Sequence, residues 1–192
     1  MDQLDEALAT LGYDRRWLTY GFLTADDVTR QRQSLAASHD SSPEHCRYDS
    51  FRRILTTRSR ISDDDVARYV ELAEVDPNPA MAGSALGELL TWAGLTAGQF
   101  EGLAGHRAYQ AEFLQRLARR RRLVEAIGVG PVDDALTQAC VGSNDAEVQR
   151  ALAASHGVSR DALEQLAQAG CNRAVRNLAL QRLGQRQQDP PN

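Results

Sequence analysis

The segment from Asn144 to Gly184 constrains the fold most, because it carries one pattern twice. Asn144-Asp145-Ala146-Glu147-Val148-Gln149-Arg150-Ala151-Leu152-Ala153 is echoed by Asn172-Arg173-Ala174-Val175-Arg176-Asn177-Leu178-Ala179. Each copy is a short polar turn, then Val, then Arg, then Leu-Ala. Between them Ala162, Leu163, Leu166 and Ala167 recur at helical spacing. A helix, a tight turn, a second helix and the same again is how an α-solenoid is assembled, each unit covering the apolar face of the next. The rest of the chain reads as earlier, more divergent copies.

A recurring helix start supports that reading: an aliphatic residue, Ser or Thr, three residues, and another apolar residue. It occurs at Leu23-Thr24 to Val28, Ile61-Ser62 to Val66, Leu95-Thr96 to Phe100 and Val158-Ser159 to Leu163. The hydroxyl caps free amides of the first turn, while the flanking apolar residues close over it as a staple. Asp26-Asp27 and Asp63-Asp64-Asp65 suit the positive end of the helix dipole. A fifth start is expected at Val129-Gly130-Pro131, with Gly in place of the hydroxyl and Pro at the first helical position. Second helices begin at Ser42-Pro43, Asn78-Pro79, Asn144-Asp145 and Asn172-Arg173, and a less regular one near His106-Arg107.

The expected architecture is therefore all-α, an α-solenoid of about five helix pairs in a single domain over residues 1–184. Residues 1–22 form an amino-terminal helical cap, with helices expected over Asp2–Thr10 and Asp14–Tyr20. The pairs lie near 23–60, 61–94, 95–128, 129–157 and 158–184. Residues 185–192, Gln-Arg-Gln-Gln-Asp-Pro-Pro-Asn, have nothing to bury and are expected to be a disordered tail.

Composition narrows the function classes. No run of about 18 apolar residues could span a membrane, and the acidic start Met1-Asp2-Gln3-Leu4-Asp5-Glu6 lacks the layout of a signal peptide. Cys46, Cys140 and Cys171 are far apart and show neither metal-ligand nor redox spacing, so reduced thiols and a cytoplasmic location are expected, with no cofactor or metal. A net charge of −4 disfavours a dedicated polyanion binder. All 22 basic residues are Arg, whose forked donors suit carboxylates and phosphates.

The paired helices and the Asp/Asn-x-x-x-Val-Arg pattern in the second helix resemble HEAT-like repeats. The likeness is clearest at Asn172 to Gly184 and Asp145 to Ala153, and extends to Asp76-Pro77-Asn78-Pro79 through Leu89. Val148 to Ala179 is also similar to the variant leucine-rich repeat of bacterial proteins, although that family's cysteine cluster for an iron–sulfur centre has no match here. The resemblance implies a scaffold for protein partners, with Arg150 and Arg176 bridging to neighbouring turns. It also admits the minority of such folds, alkylation-repair DNA glycosylases among them, that bind DNA in the groove.

Two groups of residues are candidate partner-binding sites. Arg116, Arg119, Arg120 and Arg122 sit with Arg121 on a helix starting near Phe113; Arg116, Arg119 and Arg122 form a basic ridge opposite Phe113, Leu114, Leu117, Val124 and Ile127. The ridge could grip an acidic partner or a phosphate backbone, or be a solvated face paired with nearby carboxylates. Arg121 falls inside the apolar arc, so either the helix breaks there or Arg121 is buried against a carboxylate. The second group, His45, Asp49 and Arg52, shares one helix face at i, i+4 and i+7, with Tyr48, Phe51 and Leu55 facing the core. It reads as an ion-paired face or a partner patch, since no nucleophile accompanies the His–Asp pair. Trp17, Tyr20, Phe22 and Trp92 are expected in the core, and His39, His106 and His156 in turns.

No catalytic motif is present, so the expected role is non-enzymatic: an adaptor or inhibitor, of the immunity type for example, binding a protein through the concave face. The alternative is a nucleic-acid binder using the Arg116–Arg122 ridge. Leu180, off the Val175, Leu178, Leu183 stripe, is expected to be exposed and offers a third route, self-association.

Overall fold

Helix-start chemistry fixes most of the boundaries seen in the computed structural model, which describes residues 2–37 and 42–188. Among these residues there is no strand. The helices are α1 (Gln3–Leu11), α2 (Arg16–Thr19), α3 (Ala25–Ala37), α4 (Pro43–Thr56), α5 (Asp63–Glu74), α6 (Pro79–Thr91), α7 (Ala97–Gly105), α8 (Glu112–Val129), α9 (Asp134–Gly142), α10 (Ala146–Ala154), α11 (Arg160–Ala169) and α12 (Arg173–Gln188), with a 3-10 turn at Arg107–Tyr109 between α7 and α8.

Ser62 accepts from the Asp65 amide, Ser159 from Ala162, and Asn78 from both Ala80 and Met81. Thr96 and Gln99 make a reciprocal capping box, and Thr24 does the same with Asp27. The start expected at Val129-Gly130-Pro131 is displaced. Gly130 has no side chain to accept an amide, whereas the Asp133 carboxylate takes the Leu136 amide at 2.7 Å and opens α9 at Asp134. At the other end α12 continues past Gln185 to Gln188, since Gly184 remains helical and the following Gln and Arg residues are good helix formers. Residues 189–192 and His39 lie outside the described residues.

The chain forms two compact units, residues 1–117 and 118–192, with α8 running through the boundary. In the first, aromatic contacts lead from the cap inward: Tyr13 to Trp17 at 5.2 Å and Trp17 to Phe51 at 4.6 Å, both edge-on, then Phe51 to Tyr69 at 4.8 Å, tilted. Such pairs each contribute about 0.5–1.5 kcal/mol beyond the area they bury. The Tyr69 hydroxyl donates to the Ala85 carbonyl, joining α5 to α6. Trp17 and Phe22 are buried as expected, but Tyr20 and Trp92 are half-buried, and Tyr20 reaches outward to donate to Glu71. Tyr48 is likewise half-buried rather than core, its hydroxyl 2.8 Å from Glu88.

A buried ion pair ties three elements of this unit together. Arg47 and Asp76 have side chains only 3% and 2% exposed, joined by bonds of 2.8 and 3.2 Å, and Arg47 also donates to the Leu11 carbonyl at 2.7 Å. Gly12, which ends α1 at φ +71°, lies against this guanidinium; a β-carbon there would stand 2.6 Å from Arg47 Nη1. Gly83 and Gly87 of α6 similarly give way to Phe113 and Leu117 in the first turns of α8.

The second unit is held by Val148, Leu152, Leu163, Leu166, Val175 and Ala179, with Leu123, Val124 and Ile127 of α8 packed against them. Gln149, only 2% exposed, spans two turns: its amide donates to the Val141 carbonyl at 2.8 Å and its oxygen accepts the Cys171 amide at 2.9 Å. No helix among the described residues is long and apolar enough to cross a membrane.

Candidate functional site

Within residues 1–117 a cleft of about 560 Å³ lies between α5, α7 and the 3-10 turn. Local sequence explains its form. Residues 63, 66, 67, 70, 71 and 74 recur along α5 at helical spacing, so its wall is roughly 16 Å long at 1.5 Å per residue. Val66, Val70 and Leu103 are buried and form an apolar floor. Across from them α7 presents Gly98 and Gly102, one turn apart, and no atom lies within 4 Å of where a β-carbon would stand on either. The missing side chains make the recess.

The rim is acidic. Asp63 accepts from Gln99 Nε2 at 2.7 Å, and the same nitrogen donates to the Ile61 carbonyl at 2.9 Å, so the cap of α7 is tied to the start of α5. Glu71 accepts from the Tyr20 hydroxyl, and that bond holds the phenol proton on, raising the Tyr20 pKa. Glu74 pairs with Arg107, at 3.1 and 3.4 Å, on a guanidinium side chain 83% exposed. Three carboxylates and one guanidinium thus line the cleft, with Arg16 and Arg68 close to the Tyr20–Glu71 pair outside it. The Thr96 hydroxyl is engaged in capping the Gln99 amide, and His106 Nδ1 accepts the Ala108 amide. What the arrangement offers is an apolar trough with negative edges, suited to binding.

The residues singled out by sequence lie elsewhere. His45, Asp49 and Arg52 do share the exposed side of α4, with the Arg52 guanidinium 6.0 Å from the Tyr48 ring centre. Beside them is a shallower depression of about 270 Å³ that includes His45 and Tyr48 with Met81 of α6. On α8 the helix does not break at Arg121; that side chain is 15% exposed and donates to Glu125 at 2.7 Å. Arg120, beside the ridge, pairs with Asp145 at 2.7 Å and Glu147 at 3.3 Å. Burial alone would raise the Asp145 pKa, but the Arg120 guanidinium and the Val148 and Glu147 amides outweigh it and lower it. Arg116, Arg119 and Arg122 are exposed, and the first two make no ion pair among the described residues. Arg176 donates to the Gly170 carbonyl in the turn before its own helix, and Arg150 only to Ala146 within its helix.

No family model, curated protein or solved structure matches this chain. Periodicity missed the cleft because it depends on side chains that are absent. The available signal was the Gly98, Gly102, Gly105 spacing on a short helix, opposite carboxylates at helical spacing on α5.

Proposed function

We propose that this chain is a non-enzymatic protein-recognition module, an α-solenoid of HEAT-like helix pairs that holds a segment of a partner protein. Two packing relations support the solenoid part: α4 lies on α6 and, in the other unit, α10 lies on α12, second helix against second helix. The observation that carries the function is the α5–α7 cleft, a preformed apolar trough with a polar rim. Such recesses between helices are where rigid recognition surfaces concentrate their binding energy. The chemistry around it is that of contact: capping, ion pairing and an open floor.

A second reading rests on α8, where exposed Arg116 and Arg119 lack ion-pair partners among the described residues. A phosphate backbone would engage them with a steep salt dependence. A tagged pull-down from the native cell, with and without nuclease, separates the two. One dominant protein that survives nuclease supports recognition of a protein; loss of all retained material on nuclease treatment overturns it and favours the arginine ridge.

A further inference from the structure

Resting on that reading, we infer that the α5–α7 cleft seats a basic amphipathic helix of the partner. The occupant must satisfy its own backbone. Both long walls are α-helices whose amides and carbonyls are spent internally, so an extended strand laid between them would find no ladder to join. A helix brings its hydrogen bonds with it. About three turns match the roughly 16 Å wall of α5, and the bare Gly98–Gly102 side of α7 lets a helix approach closely, with its apolar stripe over Val66, Val70 and Leu103.

Charge selects the sign of that helix. Asp63, Glu71 and Glu74 outnumber Arg107 among the lining residues, and each keeps lone pairs beyond the contacts described above. Arg or Lys side chains flanking the apolar stripe would reach these carboxylates, whereas acidic ones would meet three like charges. Glu71 and Glu74 lie three residues apart on α5, spacing that pairs with basic residues one turn apart on the partner.

The test uses the full chain in four forms: wild type, Gly102→Met, Glu71→Gln/Glu74→Gln, and Gly142→Met as a control on an exposed glycine of α9 with open space around it. Met is a better helix former than Gly, so Gly102→Met fills the trough without weakening α7, which an unchanged or higher melting temperature verifies. Gln at 71 can still accept from Tyr20. Each form captures protein from nuclease-treated native lysate; the protein retained by wild type is then purified and titrated calorimetrically, and its protected segment is located by hydrogen exchange. The expected result is capture by wild type and Gly142→Met, none by Gly102→Met, about tenfold weaker binding by the Gln double variant, and protection of a helical segment with net positive charge. Equal capture by Gly102→Met overturns the cleft as the seat while leaving protein recognition standing. Protection of an acidic or extended segment overturns the stated chemistry. Retention of no protein by wild type overturns the functional reading, and this inference with it.

Discussion

Removing the carboxylate of Asp76 should destabilise the first unit more than any surface charge change. The Asp76→Ala variant leaves the Arg47 guanidinium inside the fold, where only the Leu11 carbonyl remains to receive it. It also removes the acceptor for the Asn78 amide, 2.8 Å from Asp76 Oδ1, at the entrance to α6. Breaking one side of a buried pair costs about 3–5 kcal/mol, because a charge is stranded away from water. With a denaturant slope of about 2 kcal/mol per molar urea, the midpoint should fall by about 2 M. Tryptophan fluorescence suits the assay, since Trp17 and Trp92 both lie in residues 1–117 and the chain has no other tryptophan. The double variant Arg47→Met/Asp76→Leu removes both charges together and should recover much of the loss. If Asp76→Ala shifts the midpoint by less than about 0.5 M, or if the double variant is as unstable as the two single changes added together, the pair is not the clamp described.

Two further outcomes follow from the same physical chemistry. Replacing Gln149 with Leu keeps its bulk but strands the Cys171 amide and the Val141 carbonyl, so the second unit should lose about 2–3 kcal/mol; circular dichroism during urea titration that shows no loss would refute the bridging role. Asp27 has its pKa depressed first by the Thr24 amide, then by the Thr24 hydroxyl and Arg53, against the opposing effect of burial. Its contribution is therefore complete above the ordinary carboxylate pKa of about 3.9 and lost as pH falls below it, so wild type and Asp27→Asn should differ in melting temperature at pH 7 and converge toward pH 2. A difference that stays constant over that range would refute the assignment.

Local chemistry was the legible part of this fold. Ser62, Asn78, Thr96 and Ser159 could be placed as caps because each acts on amides two or three residues away, a distance the sequence encodes directly. Asp133 was overlooked because Gly130-Pro131 imitates a start, and only the competing carboxylate three residues later settles the boundary. Arg47 was legible in hindsight: it occupies the phase of Phe51, Ile54 and Leu55, where a charge has to be paired. Its carboxylate is 29 residues away, and no spacing rule reaches that far. His45, Asp49 and Arg52 were correctly grouped on one exposed face, since helical phase decides exposure. The cleft was legible only in part: the glycine spacing of α7 can be read, but the distance between α5 and α7, which are not neighbours in sequence, cannot.

The glycines that open the cleft also set how firmly its wall holds. Three of the nine residues of α7 are glycine, each costing about 0.8–1 kcal/mol of helix propensity relative to alanine. A helix that short draws its stability from packing through Phe100, Leu103 and Ala104 and from the Thr96–Gln99 cap, with little intrinsic reserve. Its amides should exchange with solvent by local opening well before those of α5 or α6, so one side of the trough is compliant and the other stiff. A partner helix arriving there would tighten α7 as it docks, and part of its binding energy would be absorbed in ordering that wall.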